Sequence, residues 1–223
     1  MRRLVLTILA LLLTGCLAGS DRNRASTAPG NGSSLPKSGM PPARSEIRAC
    51  LAELDRDRID YSPVPDQFFG GGCQITGAVQ LVDIGVPVTG LTAMQCGLAR
   101  AFAGWSRYAI APAARQILGS DLVRIETFGS YACRNVIGNA ASAGRLSGHA
   151  TANAVDVSGF VLADGRRISV QTGWTSADQD IRTFLRVIHT SACKRFGTVL
   201  SPDYNAAHYN HLHLEDDHAG FCR

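Results

Sequence analysis

The chain has 223 residues, of which 45% are hydrophobic and 18% charged. This composition excludes a largely disordered protein and is sufficient for one domain of ordinary size with a good core. The formal net charge is only +4, and no run of Lys or Arg exceeds two residues. A nucleic-acid-binding surface is therefore not expected.

The N-terminus has the pattern of an export signal. Two basic residues, Arg2 and Arg3, precede an apolar run from Leu4 to Leu13, which is too short for a comfortable membrane span. The following LTGC resembles the lipobox of bacterial lipoproteins, which implies that Cys16 becomes the lipidated first residue. The alternative is an ordinary signal peptide with a chance cysteine. We predict a signal peptide over residues 1–15.

The next segment, residues 16–44, is rich in Gly, Ser, Pro and Asn and has almost nothing to bury. It is interpreted as a flexible tether from the lipid, with an ordered N-terminal arm as the alternative. The folded domain is predicted over residues 45–223.

Six cysteines remain once Cys16 is set aside for lipid: Cys50, Cys73, Cys96, Cys133, Cys193 and Cys222. An even number in an exported chain predicts three disulfides in an oxidising compartment. The sequence does not choose among the possible pairings. No C-x-x-C pair occurs, so a thiolate zinc knuckle is not expected.

Periodicity predicts helices over 45–56, 91–118 and 176–196, with Ser45, Thr92 and Ser176 as the expected N-caps. The middle helix is one long helix or two, interrupted near Pro112. Residues 61–72 are predicted to be irregular.

Strands are predicted from near Cys73 and at 122–129, 198–201 and 209–216, with a hairpin at 153–170 that turns at Asp164–Gly165. The order of elements lacks a βαβ rhythm. We therefore predict an α+β fold, with a mainly antiparallel sheet that carries a zinc site, helices on one face and disulfide cross-links.

Four of the six histidines lie near the C-terminus: His208, His211, His213 and His218. Residues 211–215 alternate so that leucines lie on one strand face and two imidazoles with Glu215 on the other. Upstream, His149 is followed by Asp156, which is predicted to lie mid-strand on the face opposite Val155 and Val157.

If these strands are neighbours, His149, Asp156 and His213 supply two imidazoles and a carboxylate. This is a three-ligand zinc set with a fourth position left for water, which is typical of catalytic zinc and suits zinc better than magnesium or calcium. Zinc lowers the pKa of its bound water toward about 7. A neighbouring imidazole, His211 or His208, can then act as general base or stabilise the oxyanion.

In this scheme Glu215 orients an imidazole from behind, and the chemistry is zinc-assisted amide hydrolysis. The alternative is two unrelated polar patches on exposed strand faces. His189 and His218 are interpreted as structural or surface residues.

The histidine motifs also carry a family resemblance. SGHATANAVD resembles the Ser-x-His-x6-Asp motif, and HYNHLH the His-x-His motif, of the zinc metallopeptidase superfamily named for lysostaphin, D-Ala-D-Ala metallopeptidases and hedgehog proteins. The spacing of its three histidines is similar to that of penicillin-insensitive murein endopeptidases. More closely, residues 45–223 resemble the bacterial extensin-like C-terminal domain family, whose GSY-x-CRN segment is present at 129–135.

The resemblance implies zinc ligands at His149, Asp156 and His213, a catalytic His211 and an assisting His208. Because Asn210 and His211 occupy the region where the D-Ala-D-Ala branch has Glu-x-x-His, the base role is assigned to His211 and not to Glu215.

Two further residues are assigned from the same resemblance. Arg134 is the candidate substrate or oxyanion contact, although its spacing from Tyr131 differs from the Ser-Gly-Tyr-Arg of that branch. The alternative is a surface arginine beside a disulfide cysteine. Ser147 is expected to hydrogen-bond within the site.

We therefore expect a monomeric periplasmic zinc peptidase that cleaves peptidoglycan stem peptides or cross-links. A lipid on Cys16 would anchor it to a membrane, with the outer membrane favoured because Leu17 and not Asp follows the cysteine. One alternative is a zinc-stabilised wall-binding or scaffolding module without turnover. Another is a zinc amidase or a carboxypeptidase that trims free stem peptides.

Overall fold

The computed structural model describes residues 43–223. The predicted signal peptide, the lipidation site at Cys16 and nearly all of the predicted tether lie outside the described residues. Within residues 43–223, no helix combines the length and the apolar character that crossing a membrane requires.

Helices and strands alternate irregularly along the described chain. The α-helices are α1 (Arg44–Arg56), α2 (Cys96–Trp105), α3 (Ala111–Leu118), α4 (Val170–Gly173) and α5 (Gln179–Ala192). The strands of the first half are β1 (Asp60–Val64), β2 (Gln67–Gly70), β3 (Cys73–Ile75), β4 (Ala78–Asp83), β5 (Val88–Thr89) and β6 (Met94–Gln95). Those of the second half are β7 (Leu122–Gly129), β8 (Ala154–Leu162), β9 (Arg167–Ser169), β10 (Thr198–Leu200), β11 (Leu212–Glu215) and β12 (Phe221–Cys222).

The main sheet has the strand order β12-β10-β11-β8-β7-β5, with β9 also paired to β8. Its pairs are antiparallel except β5 with β7 and β10 with β12. A smaller sheet has the order β1-β4-β6, and β2 and β3 form a separate hairpin. The predicted α+β class with a mainly antiparallel sheet is confirmed.

One face of the main sheet packs on helices. Val155 and Val157 of β8 and Leu212 and Leu214 of β11 are fully buried. They belong to one apolar core with residues of α2, α3 and α5, such as Phe102, Trp105, Ala114, Phe184 and Ile188. Because side chains alternate along a strand, the residues between these valines and leucines point to the other face. That face carries Asp156 and His213.

Three disulfides join distant segments, as the cysteine count predicts. Cys50–Cys96 ties α1 to the start of α2, and Cys73–Cys133 ties β3 to the segment after β7. Cys193–Cys222 ties the residue after α5 to β12. Each pairing spans at least 29 positions of sequence, so only the folded chain reveals it.

The predicted interval 91–118 contains two α-helices, α2 and α3, which are joined by a π-helical turn over Ser106–Ile110. The prediction that Thr92 caps this region is wrong. Thr92 lies four residues before α2, and its backbone N–H donates to Ser130 Oγ at 3.1 Å. Pro112 lies in the first turn of α3, directly after the π-helical turn.

Other element boundaries also need correction. Ala43 and not Ser45 is the N-cap of α1, and Asp178 and not Ser176 caps α5, since its side chain accepts from two first-turn amides. The region predicted to be irregular contains β1 and β2, whose Pro63 and exposed phenylalanines obscure the strand pattern. The hairpin of β8 and β9 turns at Asp164–Gly165 as predicted, with Gly165 at φ 89°.

Candidate metal centre

The site is built on the pairing of β8 with β11. In this antiparallel pair, His213 is the direct register partner of Asp156. Their side chains point away from the apolar core, and His213 Nδ1 lies 2.8 Å from Asp156 Oδ1. The two strands are neighbours, which is the condition under which the sequence predicts that their polar faces converge.

His149 reaches the same point from a 3-10 turn over Gly148–Thr151. The Ser147 side chain caps this turn by accepting a hydrogen bond from the His149 N–H at 3.3 Å. His149 Nε2 lies 3.1 Å from Asp156 Oδ2 and 3.3 Å from His213 Nδ1. The three side chains form one cluster, and all three residues are buried.

The donors of this cluster fit a zinc ion. Two imidazole nitrogens and one carboxylate are a known ligand set for catalytic zinc. Zinc bonds of about 2.0–2.2 Å place tetrahedral ligands roughly 3.4 Å apart. The two imidazole nitrogens lie 3.3 Å from each other, and each lies near a different oxygen of Asp156, at 2.8 and 3.1 Å. The cluster is therefore close to the shape that would hold the ion.

Glu215 lies behind the cluster. Its Oε1 is 2.7 Å from His213 Nε2, on the side of the ring opposite Asp156. The backbone N–H of Gly148 also donates to this carboxylate. A Cβ at Gly148 would lie only 2.7–2.9 Å from the Glu215 carboxyl atoms, so a glycine is needed for the close approach. Glu215 thus orients the ring of His213 through this contact.

Opposite charges face each other within the cluster. Burial raises the pKa of Asp156, but hydrogen bonds from His149 and His213 outweigh it and hold this pKa well below its usual range. Burial lowers the pKa of His213, but its hydrogen bonds to Asp156 and Glu215 raise it to about 9. Asp156 is therefore ionised, and a positive group is expected beside it.

His208 and His211 lie next to the cluster and form a second possible ligand group with His213. His208 Nδ1 is 2.7 Å from Asn205 Oδ1, and His211 Nδ1 is 2.9 Å from Asn210 Oδ1. Burial is the main cause that lowers the pKa of both imidazoles, that of His208 to about 4. Both rings are therefore neutral at neutral pH.

A cleft of about 140 Å³ opens beside these histidines. His208, His211 and His213 line it together with Ser147 and Glu215, and the apolar residues of its wall are Val136, Ile137, Leu200 and Ala207. A larger groove of about 760 Å³ runs along α5, but none of the clustered histidines or carboxylates lines it.

Arg134 lies at this cleft, with Nη2 3.9 Å from Asp156 Oδ2. Its side chain is about one-third exposed, at 35%. The guanidinium of Arg134 therefore places a positive charge beside the carboxylate of Asp156.

Some residues of the site were not predicted from the sequence. Asn205 and Asn210 orient His208 and His211, and the ring of Phe128 meets His211 edge-on at 5.8 Å between centroids. The asparagine beside the histidine in HYNHLH was a usable signal for Asn210. Phe128 gave no signal, because it precedes its partner by 83 positions and only the fold brings them together.

The remaining histidines lie outside the cluster. His189 Nε2 is 3.7 Å from Cys193 Sγ and 3.9 Å from Cys222 Sγ, but these sulfurs form a disulfide and are not thiolates. His218 is exposed. The interpretation of both as structural or surface residues agrees with their positions.

The fold and the site define a disulfide-bridged α+β domain whose antiparallel sheet carries a buried histidine–carboxylate cluster. The chain belongs to the family described as "Extensin-like protein C-terminus", which matches residues 48–223. This membership confirms the resemblance of residues 45–223 to the extensin-like C-terminal domain family. Comparison with curated proteins and with solved structures finds no match.

Proposed function

We propose that the chain is a zinc metallopeptidase of the superfamily that contains lysostaphin and the D-Ala-D-Ala metallopeptidases, and that it hydrolyses amide bonds in the peptide part of peptidoglycan. The observation that carries the proposal is the convergence of His149, Asp156 and His213, with donor atoms 2.8–3.3 Å apart, beside an open cleft. The substrate class, the peptides of peptidoglycan, is inferred from the resemblance of the sequence motifs.

His149, Asp156 and His213 would hold the ion, and Glu215 would keep the His213 ring in place. When bound, zinc supplies Lewis-acid activation of a water molecule at neutral pH. The remaining chemistry belongs to side chains of the cleft.

His211 is the proposed general base. Its Nδ1 faces the amide oxygen Oδ1 of Asn210 at 2.9 Å, and an oxygen of this kind only accepts hydrogen bonds. Nδ1 therefore carries the ring proton, and Nε2 keeps a lone pair that can take a proton from the attacking water. Because burial lowers the pKa of His211, this ring is neutral when the water arrives.

His208 is oriented in the same way. Asn205 Oδ1 also accepts a hydrogen bond from the Ala207 N–H at 3.0 Å, and this bond fixes the orientation of the amide. Because the same oxygen faces His208 Nδ1, that nitrogen must carry the proton and donate it. The Nε2 of His208 is then available to shuttle a proton toward the leaving amine. Arg134 would contact a carboxylate of the stem peptide or the developing oxyanion.

The proposal extends to the location of the protein. A lipid on Cys16 and a tether over residues 16–44 would hold the folded domain at a bacterial membrane facing the wall, with the outer membrane favoured. Radiolabelled palmitate incorporation into the chain, compared with a Cys16→Ser variant, tests this step. Equal labelling of the two chains would contradict it.

The test of activity is mass spectrometry of purified peptidoglycan after incubation with the full-length chain. We expect new products that disappear with a zinc chelator and with His211→Ala, while His218→Asn, which changes an exposed histidine, behaves as the unmodified chain. The product masses identify the bond. A folded, zinc-loaded chain that gives no products would contradict the peptidase and favour a wall-binding module.

A further inference from the structure

An apolar surface stands beside the cleft and has no role in the chemistry above. The hairpin β2–β3 presents Phe68 and Phe69, which are 72% and 52% exposed. Leu146, which is 38% exposed, approaches the turn of this hairpin, since a Cβ at Gly72 would lie 2.6 Å from its Cδ1. We call Phe68, Phe69 and Leu146 the aromatic platform. Contiguous exposed apolar side chains of this kind often mark an interaction site.

The platform is held in a fixed position. An isolated two-stranded hairpin is only marginally stable in water. Here Cys73 of β3 is bonded to Cys133, and the ring of Phe69 packs on Tyr131 at 5.5 Å between centroids. The hairpin is thus attached to the segment that follows β7, and the ring of Phe69 is preorganised for binding.

The platform also borders the candidate metal centre. Leu146 directly precedes Ser147, which lines the cleft, and Cys133 directly precedes Arg134, which lies 3.9 Å from Asp156. A polymer whose peptide branch enters the cleft would therefore pass close to Leu146.

We propose that the aromatic platform binds the glycan strand of peptidoglycan, that is, a chain of N-acetylated pyranose rings, while the attached peptide lies in the cleft. This inference rests on the proposed function. Pyranose rings have flat faces of C–H groups that stack on the negative face of an aromatic ring. Two amide side chains on the same strands, Gln67 and Gln74, provide partners for sugar hydroxyl and acetamido groups.

The charges of the hairpin favour binding of a neutral polymer over binding of an anionic lipid surface. The segment 59–99, which contains the whole hairpin, has no Lys or Arg and carries Asp60, Asp66 and Asp83. An anionic lipid surface attracts basic residues, and the hairpin provides none. Carboxylates of the stem peptide would instead be attracted to Arg134 and to the exposed Arg145.

The test measures binding of a soluble β-1,4-linked N-acetylglucosamine hexamer to the full-length chain by calorimetry, in the presence of a zinc chelator. Chelation separates binding from turnover, so a failure of the peptidase proposal does not affect the result. We expect Phe68→Ala combined with Phe69→Ala to weaken binding at least ten-fold, which corresponds to about 1.4 kcal/mol. Tyr108→Ala, which removes an aromatic side chain 68% exposed on another element, is expected to bind as the unmodified chain.

Phe69→Trp provides a second check, because it keeps an aromatic face and should retain hexamer binding. An unchanged melting temperature shows that the double variant is folded, which is expected because both rings are largely exposed. Equal hexamer affinity in the double variant and the unmodified chain would overturn the inference. Platform-dependent binding to phosphatidylglycerol vesicles without hexamer binding would also overturn it and would assign the surface to a membrane.

Discussion

His213 and Asp156 are direct partners in the antiparallel pairing of β11 with β8, and their side chains meet at 2.8 Å. Asp156 lies between two valines of β8, and His213 lies between two leucines of β11. All four of these apolar residues are fully buried in the core. A shift of the register by one residue would point the imidazole and the carboxylate into the apolar core and the apolar residues away from it. The packing of the core therefore fixes the geometry of the candidate metal centre.

The choice between the two overlapping ligand groups can be tested by metal content. We expect the unmodified chain to bind about one zinc ion, as three-ligand sites do, and His149→Ala and Asp156→Asn to lose it. His208→Ala should keep the ion, because His208 is assigned to proton transfer and is not one of the three proposed ligands. Zinc per chain is measured by atomic emission after dialysis. Loss of zinc in His208→Ala with retention in His149→Ala would assign the ion to the three-histidine group.

Glu215 should act as a positioning residue. We expect Glu215→Gln to lower zinc affinity by about 10–100-fold, the usual effect of losing a supporting carboxylate. Gly148→Ala should have a similar effect, because its Cβ would lie within 3 Å of the Glu215 carboxyl group and displace it. Competition with a fluorescent chelator measures both affinities. Gly144→Ala is the matched control, since a Cβ there meets no atom within 4 Å, and affinity in Gly148→Ala equal to that control would contradict this role.

The Cys73–Cys133 disulfide should stabilise the fold and position the aromatic platform. Its removal by Cys73→Ser with Cys133→Ser is expected to cost about 2–4 kcal/mol in the free energy of unfolding, measured by urea denaturation. Zinc binding should persist, because Asp156 and His213 lie on the main sheet. Hexamer binding should fall, because the hairpin loses its attachment. Retention of full hexamer binding in this variant would show that the disulfide is not needed to place the platform.

The stability of the fold at low pH should depend in part on Asp203. Its carboxylate accepts a hydrogen bond from Trp174 Nε1 at 2.7 Å and pairs with Arg186. Burial raises the pKa of Asp203, but these partners outweigh it and lower the pKa below its unfolded value. The stabilisation is therefore present above about pH 4. This stabilisation is lost as the pH falls through the pKa that Asp203 has in the folded chain.

We expect Asp203→Asn to lower the melting temperature at pH 6 by no more than about 3 °C, since the pair is exposed. At pH 3 the difference from the unmodified chain should shrink. Scanning calorimetry at the two pH values measures it, with Asp83→Asn as an exposed control. A difference that grows toward pH 3 would contradict the assigned direction of the pKa shift.

Several features of the chain could be predicted from its sequence because their causes are local. The alternation of residues 211–215 and the run of AVDVS placed His213 and Asp156 on polar strand faces, and the Asp164–Gly165 turn identified a hairpin. The cysteine count predicted three disulfides. Motif resemblance identified the family, which residues 48–223 match.

Element boundaries were less well predicted, since caps depend on which hydrogen-bond partner is nearest in space. Thr92 has the side chain of a helix cap, yet its amide bonds to Ser130 on a distant segment and α2 begins later. Residues 61–72 were expected to be irregular because Pro63 and three glycines weaken the strand pattern, but pairing with β4 and β3 holds β1 and β2 extended.

The sequence by itself determined which chemical groups the cluster contains: two imidazoles, a carboxylate and neighbouring polar residues, at spacings set by a turn and by two strands. Only the tertiary structure decided that β8 and β11 are neighbours, that Cys73 pairs with Cys133, and that Phe128 packs on His211. The physical reason is that side-chain alternation acts over a few residues, whereas strand partners and disulfides are selected by burial of the whole core.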